Sequence, residues 1–148
     1  MPCLYMHFFI EHNFGHHLHV GTPEDGATAK YNQTVYSFWF TSVTKQYFDS
    51  WRRQLNLLKV SDKGFFSFQN DLLWYHLIQP CYLIIVYYFF GFQALLFAFF
   101  IGVLSFLFLE TINYIEHYGL KRFKTSTGRY ERVQPHHCLL YTSDAADD

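Results

Sequence analysis

The chain has 148 residues, with 11 Lys or Arg against 12 Asp or Glu and a net charge of -1, so no basic field argues for nucleic acid. Aromatic residues reach 22% and charged residues only 16%, too few charges for an ordinary soluble surface. The three cysteines, Cys3, Cys81 and Cys138, form no C-x-x-C pair, which excludes an iron–sulfur cluster or zinc finger and gives no disulfide framework.

Met1 to Ile10 carry neither the basic leader nor the small-residue cleavage site of a secretory signal. The stretch EHNFGHH, residues 11–17, comes next. On an α-helix His12 and His16 share a face about 40° apart, while His17 points about 100° from His16. That arrangement suits two neighbouring metal ions, adjacent histidines reaching different ones. Imidazole serves Zn, Cu, Fe and Ni alike, so ligand type leaves the metal open. Glu11 could accept the spare ring N–H of a neighbouring histidine or simply be solvated. His7 is a further candidate for such support, and His19 is expected to be exposed.

In TPED, Thr22 suits a helix N-cap, Pro23 the first helical position, and Glu24 and Asp25 the positive end of the dipole, so a helix is predicted to start there. Further on, Val35, Trp39, Val43, Tyr47, Trp51 and Leu55 recur every fourth residue, a broad apolar stripe beside Arg52 and Arg53. Such a helix either lies on a membrane surface or packs against another helix.

From Leu72 to Leu109 there is no Asp, Glu, Lys or Arg. One helix of that length would measure about 57 Å against a hydrocarbon layer of about 30 Å. Two spans of roughly 18 residues fit better, over about 72–90 and 92–109 with a tight turn near Gly91. The competing expectation is one buried helix of a soluble protein. Arg52, Arg53, Lys59 and Lys63 precede the run and Lys121, Arg122 and Lys124 follow it, which predicts that both flanks are cytoplasmic. Pro80 could kink the first span, and His76 is expected at its interface end.

NYIEHYGL, residues 113–120, holds the second cluster. If the second span continues as helix, His117 stands about 12 Å beyond Leu109, with Gly119 as the terminating residue. Glu116 has the same two alternatives as Glu11. Two crossings return the chain to the side it left, so His12, His16, His17 and His117 are predicted on one membrane face. His136 and His137 lie in a polar segment with no evident partner.

HFFIEHNFGHHLHVGTPEDGATA (7–29) together with NYIEHYGLKRFKTSTGRYERVQPHH (113–137) closely resembles the membrane-bound non-haem di-iron alkane 1-monooxygenases, relatives of the fatty-acid desaturases. E-H-x-x-G-H-H followed by T-P-E-D matches the family's second histidine box, and N-Y-x-E-H-Y-G-L the motif that separates it from the desaturases. The resemblance covers roughly Tyr5 to His137. It implies an all-α, polytopic membrane domain over residues 1–137, built on a two-span hairpin with cytoplasmic histidine-box segments at the bacterial inner membrane. It implies that His12, His16, His17 and His117 are ligands of two irons; Glu11, Glu116 and His7 remain candidates for supporting them. The implied reaction is O2-dependent hydroxylation of a terminal alkane C–H to a primary alcohol, with electrons from rubredoxin and an apolar substrate channel in the bilayer. No fused rubredoxin is expected, since C-x-x-C pairs are absent.

The match has departures. Gly26 stands where the family usually has proline, and Gly21 where a larger apolar residue is common. The family's H-E-x-x-H-K and H-S-D-H-H boxes are missing, and after RVQPHH comes CLLYTSDAADD, which looks like sequencing-adapter read-through. Residues 138–148 are therefore expected to be artefactual, and the chain a fragment that is inactive alone. The nearest rivals are a xylene-monooxygenase-like enzyme and a fatty-acid desaturase or hydroxylase. A non-catalytic membrane metal-binding protein would need ionisable residues along the spans, where only His76 qualifies.

Overall fold

A computed structural model describes residues 4–134, apart from the side chains of Asn13, Phe14 and His17. Cys3, His136, His137 and the 138–148 tail lie outside the described residues. In chain order the elements are α1 (Phe8–Glu11), a π-helical turn (His12–His16), α2 (His17–His19), α3 (Val35–Val60) and α4 (Asp71–His117). Among the described residues there is no strand, only the isolated antiparallel bridge Lys124–Tyr130. The all-α class expected from the sequence holds.

The predicted helix start at Thr22 is not formed. Residues 22–25 make a turn, with Asp25 N donating to Thr22 O at 3.1 Å and the Thr22 hydroxyl donating to His19 O at 2.7 Å. The Asp25 carboxylate, assigned above to a helix dipole, instead accepts from Ala27 N, the Thr28 hydroxyl and the His16 ring. Side-chain bonds of this kind compete with helix propagation. The helix begins later, at Val35, where the Thr34 hydroxyl accepts from Ser37 N at 3.4 Å as the N-cap.

Helix α3 buries Phe38, Ser42, Gln46, Asp49, Ser50, Gln54 and Leu58. This stripe is mostly polar. The aromatic row from Val35 to Leu55 is half-buried or exposed. α3 packs against α1 and α4, so of the two placements open from the sequence the contacts carry helix packing. Trp39 Nε1 donates to the Thr111 hydroxyl at 3.1 Å, tying its first half to the end of α4.

Helix α4 is interrupted at Gly91, whose φ of 82° and ψ of -178° suit a residue without Cβ. Pro80 lies inside the helix without such a break. Residues from both halves meet the same N-terminal segment. The Gln79 carboxamide pairs with Leu4 O at 3.2 Å and Met6 N at 3.1 Å, and Phe106 stacks on Tyr5 at 5.2 Å. On one straight helix those two α4 residues would stand about 40 Å apart. α4 is therefore not straight.

α4 is long and apolar enough to cross a membrane, and only 6% of its most apolar window is buried. Tyr88, Phe90, Phe97 and Phe108 are exposed. The core helix of a soluble protein would hide these rings; here they need lipid or further protein. Below this surface, fully buried Glu110 anchors the end of α4. It accepts from the Tyr5 hydroxyl at 2.8 Å, the Ser42 hydroxyl at 2.7 Å and Gln46 Nε2 at 3.0 Å. These bonds explain why α3 turns polar residues inward.

Candidate metal centre

The histidine box does not keep the α-helical spacing assumed above. His12–His16 form a π turn, in which the i to i+4 pattern widens by one residue. Gly15 shows the local reason for a small residue here. A Cβ at that position would lie 2.3 Å from Glu11 Oε1, so only glycine leaves room for the buried carboxylate. His12 and His16 still bring their rings together, 5.5 Å between centroids and 16° from parallel. The backbone of His17 continues into α2, while its side chain lies outside the described residues.

Glu11 faces α3 through Arg53, whose Nε donates to Glu11 Oε2 at 2.8 Å. Burial pushes the Glu11 carboxyl above its ordinary range, with the Arg53 bond working against that rise. Among the described residues Glu11 Oε1 has no hydrogen-bond partner. Replacing Arg53 with alanine strands this carboxylate, and a loss of about 2–3 kcal/mol is expected, below the figure for a fully buried pair because Arg53 is partly exposed. Thermal unfolding in lipid discs checks it; an unchanged midpoint would show that the pair does not hold α1 to α3.

The end of α4 completes the cluster. The His117 ring lies 4.6 Å from the His16 ring, nearly perpendicular at 85°. Each ring has one nitrogen committed. His16 Nδ1 donates to Asp25 Oδ2 at 3.0 Å, and His117 Nδ1 donates to Asn113 O at 3.2 Å. A metal bond from either ring would therefore come from Nε2. Burial pulls the His16 ring down, but its hydrogen bond to Asp25 and that residue's charge more than offset this, leaving it raised. Asp25 is held below the usual carboxylate range by the same partner despite burial.

Asp25 was missed as a partner of His16, because its local signal is that of a helix start. Glu116 Oε2 lies 4.0 Å from His117 Nδ1, beyond hydrogen-bond reach. His7 stands edge-on to Tyr5 at 4.5 Å and to Tyr47 at 5.3 Å. Burial and the nearby His76 lower its pKa to about 4. Its Nε2 has no hydrogen-bond partner among the described residues. His19 is half-buried rather than exposed. Gly119 follows the end of α4 with φ of 69°, and its N–H donates to Ala29 O at 2.9 Å. Arg122 beyond it reaches Leu18 O at 2.9 Å and Val20 O at 3.3 Å. These bonds fasten the end of α4 over the box, from the opposite end of the sequence.

Among the described residues no three His, Cys, Asp or Glu side chains stand close enough to hold a metal ion by themselves. The donor chemistry nevertheless fits one. A ring whose Nδ1–H is given to a carboxylate or a carbonyl has its tautomer and orientation set for metal bonding through Nε2. His16 and His117 both meet that condition from different elements.

The chain belongs to the fatty acid desaturase family, whose pattern matches residues 2–142. It is similar to alkane 1-monooxygenase 2 of Pseudomonas aeruginosa, 37% identical over 133 residues, covering 90% of this chain and 35% of that protein. Alkane 1-monooxygenase 2 of Alcanivorax borkumensis is 38% identical over 135 residues, with 90% and 35% covered. The alkane 1-monooxygenase of Acinetobacter baylyi is 38% identical over 140 residues, with 93% and 34% covered. The chain thus spans about a third of the length of the curated relatives it matches.

Proposed function

We propose that this chain is the segment of a membrane alkane 1-monooxygenase that carries the second histidine box and the NYIEHYGL motif. His12, His16, His17 and His117 would hold part of a di-iron centre. Bound iron would supply O2 activation, one oxygen atom entering a terminal C–H bond and the other leaving as water with two electrons and two protons. Reduced rubredoxin is the proposed electron donor, and the substrate an alkane. The observation that carries this is the 4.6 Å contact between His16 and His117, one from each of the two motifs.

The chain's own residues do the positioning. Asp25 and the Asn113 carbonyl orient the His16 and His117 rings and hold the Nδ1 proton of each. Glu116 and His7 are assigned supporting roles around them, and Glu11 holds α1 to α3 through Arg53. α4 is read as a two-span hairpin over 72–90 and 92–109, turning at Gly91. The non-helical Gly91 and the meeting of Gln79 and Phe106 with the Leu4–Met6 segment support it. Flanking cations favour a cytoplasmic centre at the inner membrane. The exposed Phe- and Leu-rich faces of the spans are suitable walls for an apolar channel.

Four histidines cannot fill two iron sites, so the chain alone is expected to be inactive. A protein of the relatives' length that contains this segment should convert an alkane and labelled O2 to labelled 1-alkanol when given reduced rubredoxin. Variants H16A and H117A should abolish the product. Product that persists in both, or label appearing only in an aromatic alcohol, would overturn the assignment.

A further inference from the structure

The histidine cluster is not isolated among the aromatic residues. From His16, ring contacts run through His12 (5.5 Å) and Phe8 (4.8 Å) to Tyr5 (5.6 Å). From Tyr5 they continue through His7 (4.5 Å) to Tyr47 (5.3 Å), and from Tyr47 through His76 (5.8 Å) to Trp51 (5.4 Å). Electrons tunnel readily between rings at such separations, and Tyr and Trp are the side chains whose rings give up one electron most easily.

A tyrosine can be oxidised at modest driving force only when its phenolic proton has somewhere to go. Both tyrosines on this path have an acceptor. The Tyr5 hydroxyl donates to Glu110 Oε1 at 2.8 Å. The Tyr47 hydroxyl lies 3.1 Å from His76 Nε2. His76 Nδ1 is 2.6 Å from Leu72 O, and because a carbonyl only accepts, the ring proton sits on Nδ1 and leaves Nε2 as the acceptor.

We propose that Tyr47, paired with His76, is the redox-active tyrosine to which unspent oxidising equivalents drain from the histidine cluster. The oxidant would be the O2-derived equivalent that bound iron supplies when no substrate is present; the inference rests on the proposed function for that source alone. Tyr5 gives one electron toward the centre and its proton to Glu110. Tyr47 then gives one electron to the Tyr5 radical, which recovers its proton from Glu110, while the Tyr47 proton passes to His76 Nε2. The Tyr47 radical is finally reduced by an external one-electron donor of the thiol or ascorbate class and takes its proton back from His76. Phe8 is a bridge and is not oxidised.

The test uses the whole chain in lipid discs without metal, so its failure leaves the proposed function standing, and an absence of hydroxylase activity would remove the source of the oxidant while leaving the measured transfer to Tyr47 standing. Of the three tryptophans, Trp39 and Trp74 are changed to Phe so that Trp51 alone reports. A radiolytic pulse of azide radical oxidises Trp51, which injects the hole into Tyr47 through the His76 contact. The tryptophanyl signal should convert to phenoxyl at a rate independent of protein concentration. Y47F should remove that conversion, Y5F should keep it, and H76F should slow it by on the order of a hundredfold by removing the proton acceptor. An unchanged decay of the Trp51 radical in Y47F, or a conversion rate that scales with protein concentration, would overturn the proposal.

Discussion

Replacing Asp25 with alanine, in a protein of the relatives' length, is expected to weaken metal binding by on the order of 10- to 100-fold. Asp25 is buried and its carboxylate is shared among His16 Nδ1, Ala27 N and the Thr28 hydroxyl. Its removal frees the His16 ring to rotate and lets the proton leave Nδ1, so Nε2 is no longer fixed as the donor nitrogen. The Asp25→Asn variant keeps an acceptor oxygen but loses the charge, and should fall between the two. Chelator competition on the purified protein reads the affinity directly. Equal affinity in all three proteins would mean that Asp25 only shapes the loop.

Glu110→Ala should be the most damaging change to the fold outside the histidines. It leaves the Tyr5 hydroxyl, the Ser42 hydroxyl and one N–H of the Gln46 amide buried without their acceptor, Gln46 Nε2 keeping only its bond to Ser42 Oγ at 2.6 Å. Each orphaned donor costs about 1–3 kcal/mol, so a total of about 3 kcal/mol or more is expected. The loss falls where the N-terminal segment, α3 and the end of α4 join, two helical turns before His117. Glu110→Gln keeps oxygen acceptors and should recover part of the stability. Thermal unfolding in lipid discs decides; an alanine variant as stable as the parent would show that the junction is held by apolar packing alone.

Which parts of this arrangement were legible in the sequence follows from the range of the forces involved. The uncharged run from Leu72 to Leu109 and the helix reaching His117 depend on local composition and helical rise, and both could be read directly. The π turn could not, because the requirement for Gly15 comes from the Glu11 carboxylate, which is held in place by Arg53 on α3. TPED carries every local mark of a helix start. His16 outcompeted that tendency by binding Asp25. α3 misled in another way. Hydrophobic periodicity points to its aromatic row, whereas its inward face is polar because Glu110 and Glu11 sit buried opposite it. Tyr5 was equally silent: nothing near it in sequence announces a carboxylate more than a hundred positions away.

The central claim is that His16 and His117 serve one metal centre. X-ray absorption at the iron edge, on iron-loaded protein of the relatives' length, tests this most directly. Changing either His16 or His117 to alanine should reduce imidazole scattering around iron and lower the iron content. Iron content and scattering left intact in H117A would contradict the account, however closely the two rings approach.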